Sequence, residues 1–191
     1  MKMDVNKMVK MGVLSALSIV LMFIIRFPLI PSAPFLEYEP ADVPILIGGF
    51  LYGPAAGLVI TVVVSIIQAL TVSSGSGWIG AVMHIISTGT FVVVAGLIYK
   101  RFHTLKGAIA ALAAGTLTIT LVMIPLNLFF TPKFLGTPVE AVKAMLIPAI
   151  IPFNLLKALI NSIVTALVYK SVGRVLRADE KKASLEKAEI L

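Results

Sequence analysis

The chain contains no cysteine, one tryptophan, two histidines and nine acidic residues. The missing thiols exclude disulfides, iron–sulfur clusters and thiolate-held metals. The shortage of charge excludes more. Only 13% of the residues are charged against 59% hydrophobic, whereas a soluble domain keeps about a quarter charged. Also absent are H-E-x-x-H, a P-loop and a G-x-G-x-x-G that follows a strand and opens a helix, so zinc protease, nucleotide hydrolase and dinucleotide enzyme readings have no support. No two acids share an apolar run, which removes the usual device of a proton- or sodium-coupled pump. At 191 residues the chain is too long for one or two spans and short for a transporter of two repeated halves. No internal repeat is evident. What remains is a small, polytopic, all-α membrane protein.

Apolar runs of about 20 residues mark helical spans. The first is 11–29, with Arg26 and Pro28 near its far end. The basic start, 1–10, is followed by no small-residue cleavage site, so this run reads as a span and not as a cleaved leader. A proline-rich break, 30–42, holds Glu37, Glu39 and Asp42. Apolar sequence resumes as a short helix, 43–51, and Tyr52-Gly53-Pro54 separates it from a full one, 55–72. A Ser/Gly loop (73–77) leads to a helix at 78–99, a basic turn (100–106), a helix at 107–130, a loop (131–138) and a last helix, 139–176. Pro148 and Pro152 predict a bend there. The expected organisation is one transmembrane substrate-binding domain, 1–176, and a charged cytoplasmic tail, 177–191.

The nine-residue second helix reaches only about half of a hydrocarbon core. Segment 31–42 must therefore dip into the protein or lie over it as a lid, since unpaired backbone at that depth needs protein or a water-filled cavity. Of the sixteen lysines and arginines, only Arg26, Lys133, Lys143 and Lys157 fall outside one set of alternate loops and ends. Six transmembrane helices with both termini cytoplasmic satisfy that bias. They place the lid, the Ser/Gly loop and 131–138 together on the outer side. The topology also accounts for the net charge of +7 without nucleic acid.

Polar groups inside spans are costly and mark sites. Asn154, Lys157 and Asn161 share one face of the last helix by their spacing. Asn127 lies near the outer end of the fifth helix, and His84 about two turns into the fourth. Lys157 is too deep to snorkel, so it reads as a ligand group or half of an ion pair. Asn127 and Asn154 each offer a donor and an acceptor, for a ligand or for helix glue; Asn161 reads as glue. His84 suits either role, and Trp78 suits a pocket edge or an interfacial belt. Glu37, Glu39 and Asp42 read as solvated lid charges, with Asp42 a candidate cap for the second helix. Gly75-Ser76-Gly77 near His84 is a poor match to an intramembrane serine nucleophile. Gly12-xxx-Ala16 and Gly49-xxx-Gly53 allow close helix approach, at a docking surface or inside the bundle. A solute carrier with no ion site and no ATP site needs a partner to drive it.

Segment 35–48 (Phe-Leu-Glu-Tyr-Glu-Pro-Ala-Asp-Val-Pro-Ile-Leu-Ile-Gly), the turn Tyr52-Gly53-Pro54, the Asn154-Leu155-Leu156-Lys157 step and Asn127 resemble the substrate-binding S components of energy-coupling factor (ECF) vitamin transporters. Within these, the likeness is to the riboflavin-specific branch, and it covers 8–176. The resemblance implies six helices, an outward-facing pocket, no catalysis and no cofactor. It also implies partners: a transmembrane coupling subunit and two ATPases, which topple the S component in the membrane. The family's Ala-xxx-Ala coupling motif is met here by Gly12-xxx-Ala16, a departure at the first position. With riboflavin as the transported ligand, Asn127 and Asn154 would face its uracil-like edge, and Phe35, Leu36 and Trp78 its dimethylbenzene end. Lys157 and the lid near Glu37 would meet its ribityl hydroxyls, with His84 a further candidate. A different vitamin (thiamine, pantothenate or a pterin) and a membrane assembly subunit without ligand remain alternatives.

Overall fold

The structure, a computed structural model, describes the backbone of residues 5–189 and the side chains of 5–175. Lys2 and the side chains of the expected tail lie outside the described residues. The order is α1 (Val5–Ile24), β1 (Phe27–Pro28), β2 (Glu37–Tyr38), α2 (Asp42–Tyr52), α3 (Pro54–Leu70), α4 (Gly77–Arg101), α5 (Leu105–Leu135), α6 (Val139–Met145), a π turn (Leu146–Ile150) and α7 (Ile151–Glu189). Among the described residues, four stretches are long and apolar enough to cross a bilayer: Val5–Ile24, Gly77–Arg101, Leu105–Leu135 and Val139–Val175. Two further apolar helices, α2 and α3, are shorter.

The short α2 is the axis of the bundle. Every residue from Asp42 to Phe50 is buried, as befits a helix apolar on all sides. It packs against α1, α3, α4 and α7. Small residues permit the approach: a Cβ on Gly49 would stand 2.6 Å from Val92 Cγ2, and one on Gly57 2.5 Å from the same atom. The Gly49-xxx-Gly53 stripe is therefore internal packing and no outer docking surface. Gly53, at φ +92°, makes the corner from which Pro54 starts α3 without needing an N–H.

The outer surface carries many apolar side chains. Val13, Leu17, Val20, Leu58, Leu117, Leu121, Ile163 and Leu167 are all exposed, while Ser15, Ser18, Thr61, Ser65, Thr116 and Ser162 are buried. That arrangement suits a lipid surround, where small and polar residues join helices. Thr116 and Ser162 hydrogen-bond at 2.9 Å between α5 and α7. Gly12 and Ala16 lie on the exposed face of α1, with nothing within 4 Å of a Cβ at Gly12.

Two local expectations are corrected. The first helix ends at Ile24, because Pro28 holds its predecessor extended; Phe27–Pro28 instead pairs antiparallel with Glu37–Tyr38, a small hairpin in a chain expected to be all-α. The fifth helix runs through Pro132 to Leu135, and Gly136 (φ +65°) ends it. The last helix runs on from α6 through the π turn into α7. Pro148 and Pro152 lack the N–H groups that would bond residues 144 and 148, and the chain answers with the π turn at 146–150. At the end of the bundle away from the hairpin, Phe50 packs against Tyr99 (4.4 Å) and meets Tyr169 edge-on (6.0 Å), and Lys7 donates to the Tyr52 carbonyl. The basic ends of α4 and α1 gather there.

Candidate ligand-binding cavity

Above the start of α2 lies a cavity of about 440 Å³, within the range of small-molecule sites. Its roof is the segment between α1 and α2. Its walls come from α3, α4, α5 and α7, and Asp42 lies in its floor. The apolar part includes Phe35, Leu36, Ile79, Met83, Ile119, Met123, Phe134 and Phe153. Ala33 and Leu36 seat the roof by packing with Val142, Ala149, Ile150 and Phe153.

Three consecutive roof residues are fastened to three different places. Glu37 accepts from Arg26, Nε at 2.7 Å and also Nη2, and Arg26 donates to the carbonyl of Val72 beyond α3. Tyr38 donates to Asn161 Oδ1 of α7 at 3.0 Å. Glu39 Oε1 accepts from Lys157 of α7 at 2.6 Å and from Gln68 of α3 at 3.3 Å. Burial pushes the Tyr38 phenol up from its ordinary value, Lys157 opposing this and Asp42 and Glu39 adding to it. The phenol stays protonated and serves as a donor.

Below the roof, Asp42 is 1% exposed yet fully partnered. Its Oδ1 meets His84 Nε2 at 3.1 Å and Thr88 Oγ1 at 3.0 Å, and its Oδ2 accepts from Asn161 at 3.1 Å. It caps nothing: the position before α2 is Ala41, with no side-chain cap. The expectation of solvated charges at Glu39 and Asp42 is corrected, because each supplies the acceptor that a buried donor on another helix needs. Asn161, expected as helix glue, joins the roof to α2.

His84 Nδ1 lies 2.7 Å from Ser65 Oγ, so serine, imidazole and carboxylate stand in sequence. The set has no room to act as a nucleophile. Ser65 is 1% exposed, lies outside the cavity lining and contacts the Thr61 carbonyl at 2.6 Å. Ser76, the other candidate nucleophile, donates to the Ser73 carbonyl, away from His84. Among the described residues no three His, Asp or Glu side chains form a metal set.

Of the residues singled out in the sequence, Asn127, Asn154, Lys157, Phe35, Leu36, Glu37 and His84 line the cavity. Asn127 donates to the Met123 carbonyl at 2.8 Å and accepts from Thr131 at 2.9 Å. Asn154 donates to the Ile150 carbonyl at 2.7 Å, and among the described residues its Oδ1 receives nothing. Each amide keeps hydrogen-bonding capacity for an occupant. Trp78 is not brought there. It is 65% exposed and meets the Phe130 ring edge-on at 6.1 Å, because Ile79, Gly80, Met83 and His84 define the cavity face of α4. Glu39, Asp42 and Gln68 are polar lining groups that the sequence did not single out as site residues, and Tyr38 holds the roof to Asn161 outside the lining. A lone deep lysine was the available signal, since it requires a carboxylate nearby.

Comparison with known proteins gives a consistent picture. The family model described as "ECF transporter, substrate-specific component" matches residues 6–169. The riboflavin transporter RibU of Staphylococcus aureus (strain TCH60) is 31% identical over 184 residues, spanning 93% of this chain and 96% of the relative. The riboflavin transporter FmnP of Bacillus subtilis (strain 168) is 29% identical over 175 residues, 87% of this chain and 92% of the relative. A solved S component of a bacterial ECF transporter superposes with a TM-score of 0.77 at 32% identity, covering 90% of this chain and 97% of that one.

Proposed function

Since this chain belongs to the substrate-specific components of ECF transporters, we propose that it captures riboflavin in the cavity beneath its roof and delivers it for uptake. It is a multi-pass membrane protein and a transport component, not an enzyme. Its relatives RibU and FmnP are riboflavin transporters. The observation that carries the reading is a largely apolar cavity of about 440 Å³ in which two amides, Asn127 and Asn154, retain free hydrogen-bonding capacity. An isoalloxazine is a flat apolar body with a uracil-like edge of alternating acceptors and one N–H. Apolar walls with a few placed polar groups suit such a ligand.

In this reading Phe35, Leu36 and Phe153 cover the ring system, the two asparagines pair with its polar edge, and Lys157, His84 and the roof near Glu37 stand by the ribityl chain. Six membrane-spanning segments with both termini in the cytoplasm accord with the gathering of basic helix ends opposite the cavity. The chain works with an ECF module. For that module we propose a transmembrane coupling subunit and two ATPases, docked on the α1 face that carries Gly12 and Ala16.

The test is fluorescence quenching of riboflavin by the purified protein. Saturable quenching at nanomolar to micromolar protein is expected, unrelieved by thiamine, pantothenate or a pterin. Asn154→Ala and Asn127→Ala should each weaken binding by roughly tenfold, the cost of unpairing a buried polar group. No quenching, or quenching abolished by another vitamin, would overturn the assignment.

A further inference from the structure

We propose that Glu39 is a specificity residue. Resting on the riboflavin reading above, it makes the cavity accept a free polyol chain and reject the phosphate ester of the same ligand.

The charges around the cavity carry this. Two cations, Arg26 and Lys157, line it with three carboxylates, Glu37, Glu39 and Asp42. Both cations are taken, Arg26 by Glu37 and Lys157 by Glu39 at 2.6 Å. Lysines nearer the outer loops do not line the cavity. Lys133 sits over the Phe129 ring, 3.8 Å from its centroid, and Lys143 lies beside Glu140. Among the described residues, no uncommitted cation faces the occupant. A phosphate ester brings a charge of about −1.5 to −2. It would enter a partly dewatered site that already holds one more carboxylate than cations, with no counter-ion to repay its desolvation.

Donor and acceptor chemistry points the same way. Glu39 Oε1 is occupied by Lys157 and Gln68, and Oε2 receives no hydrogen bond from any described residue. An ionised carboxylate only accepts. A ligand hydroxyl can donate to Oε2, whereas the phosphate dianion offers only acceptors. Glu39 thus acts twice: it consumes the charge of Lys157 and presents an atom that hydroxyls satisfy and phosphates do not.

The experiment compares riboflavin and flavin mononucleotide on the purified full chain by fluorescence quenching. The unmodified protein should prefer riboflavin by at least tenfold. Glu39→Gln releases Lys157, and the preference should shrink at least fivefold. Adding Lys157→Gln removes the freed cation, and the preference should recover in part, because the carboxylate acceptor is still missing. Glu39→Asp keeps the charge and should keep the preference; this variant decides the matter if Glu39→Gln does not fold. Equal binding of both flavins by the unmodified protein would overturn the proposal. So would a preference untouched in a Glu39→Gln protein that still binds riboflavin, or one lost in Glu39→Asp. Failure of the unmodified protein to bind riboflavin would overturn the functional reading instead, so the two failures are distinct.

Discussion

Lys157 and Glu39 face each other from α7 and the roof, with side chains only 16% and 7% exposed. Lys157→Gln leaves Glu39 without its cation, with Gln68 at 3.3 Å as its remaining protein donor. Removing one member of a buried pair costs about 3–5 kcal/mol. The lower end, about 3 kcal/mol, applies here because Glu39 also borders the cavity and the introduced amide can still donate to it. For a chain of this size each kcal/mol moves the melting temperature by about 2–4 °C, so the midpoint should fall by roughly 6–12 °C. Glu39→Gln should cost a similar amount, since it strands the lysine. The double variant replaces an ion pair by an amide pair and strands neither charge. Its loss should be at least ~2 kcal/mol smaller than the sum of the two single losses, a coupling typical of residues in contact. Thermal unfolding of the four proteins in detergent without ligand, followed by circular dichroism, measures this. Losses that simply add would refute the inference that the two groups answer each other.

Gly49→Ala should destabilise the protein by about 1–3 kcal/mol, the usual cost of overpacking, because its Cβ would meet Val92 Cγ2 at 2.6 Å; adding Val92→Ala should recover part of the loss in the same melting assay. Trp78→Phe should leave riboflavin affinity within about twofold, since the indole is outside the cavity, and a tenfold loss in a quenching titration would put it back in the site.

The broad architecture was legible because lipid imposes length and polarity rules that a sequence displays directly. The half-length of α2 and the one-faced spacing of Asn154 and Lys157 led to a covered cavity. What was not legible depends on distance along the chain. Glu39 and Lys157 are 118 residues apart, and Asp42 and Asn161 are 119 apart; no local pattern announces such partners, so the acids were read as solvated. Trp78 was misplaced for another reason. A residue at a helix start can point anywhere around the axis, and only the packing of α4 on α3 and α5 shows that Ile79 and Met83 take the inward face. The hairpin of Phe27–Pro28 with Glu37–Tyr38 was missed because strands of two residues carry no periodicity.

The place of α2 has a consequence for how the protein is made. At 11 residues, about 16 Å, it cannot span the hydrocarbon alone, and it begins with an aspartate, among the costliest residues to insert. Its neighbours must come first. One of the donors that satisfies Asp42, Asn161, is translated 119 residues later, a delay on the order of ten seconds. The middle of the molecule is thus the last part to settle, and a nascent chain stopped before α7 would carry a buried acid without that donor. Assembly closes from the outside inward, around a core that waits for α7.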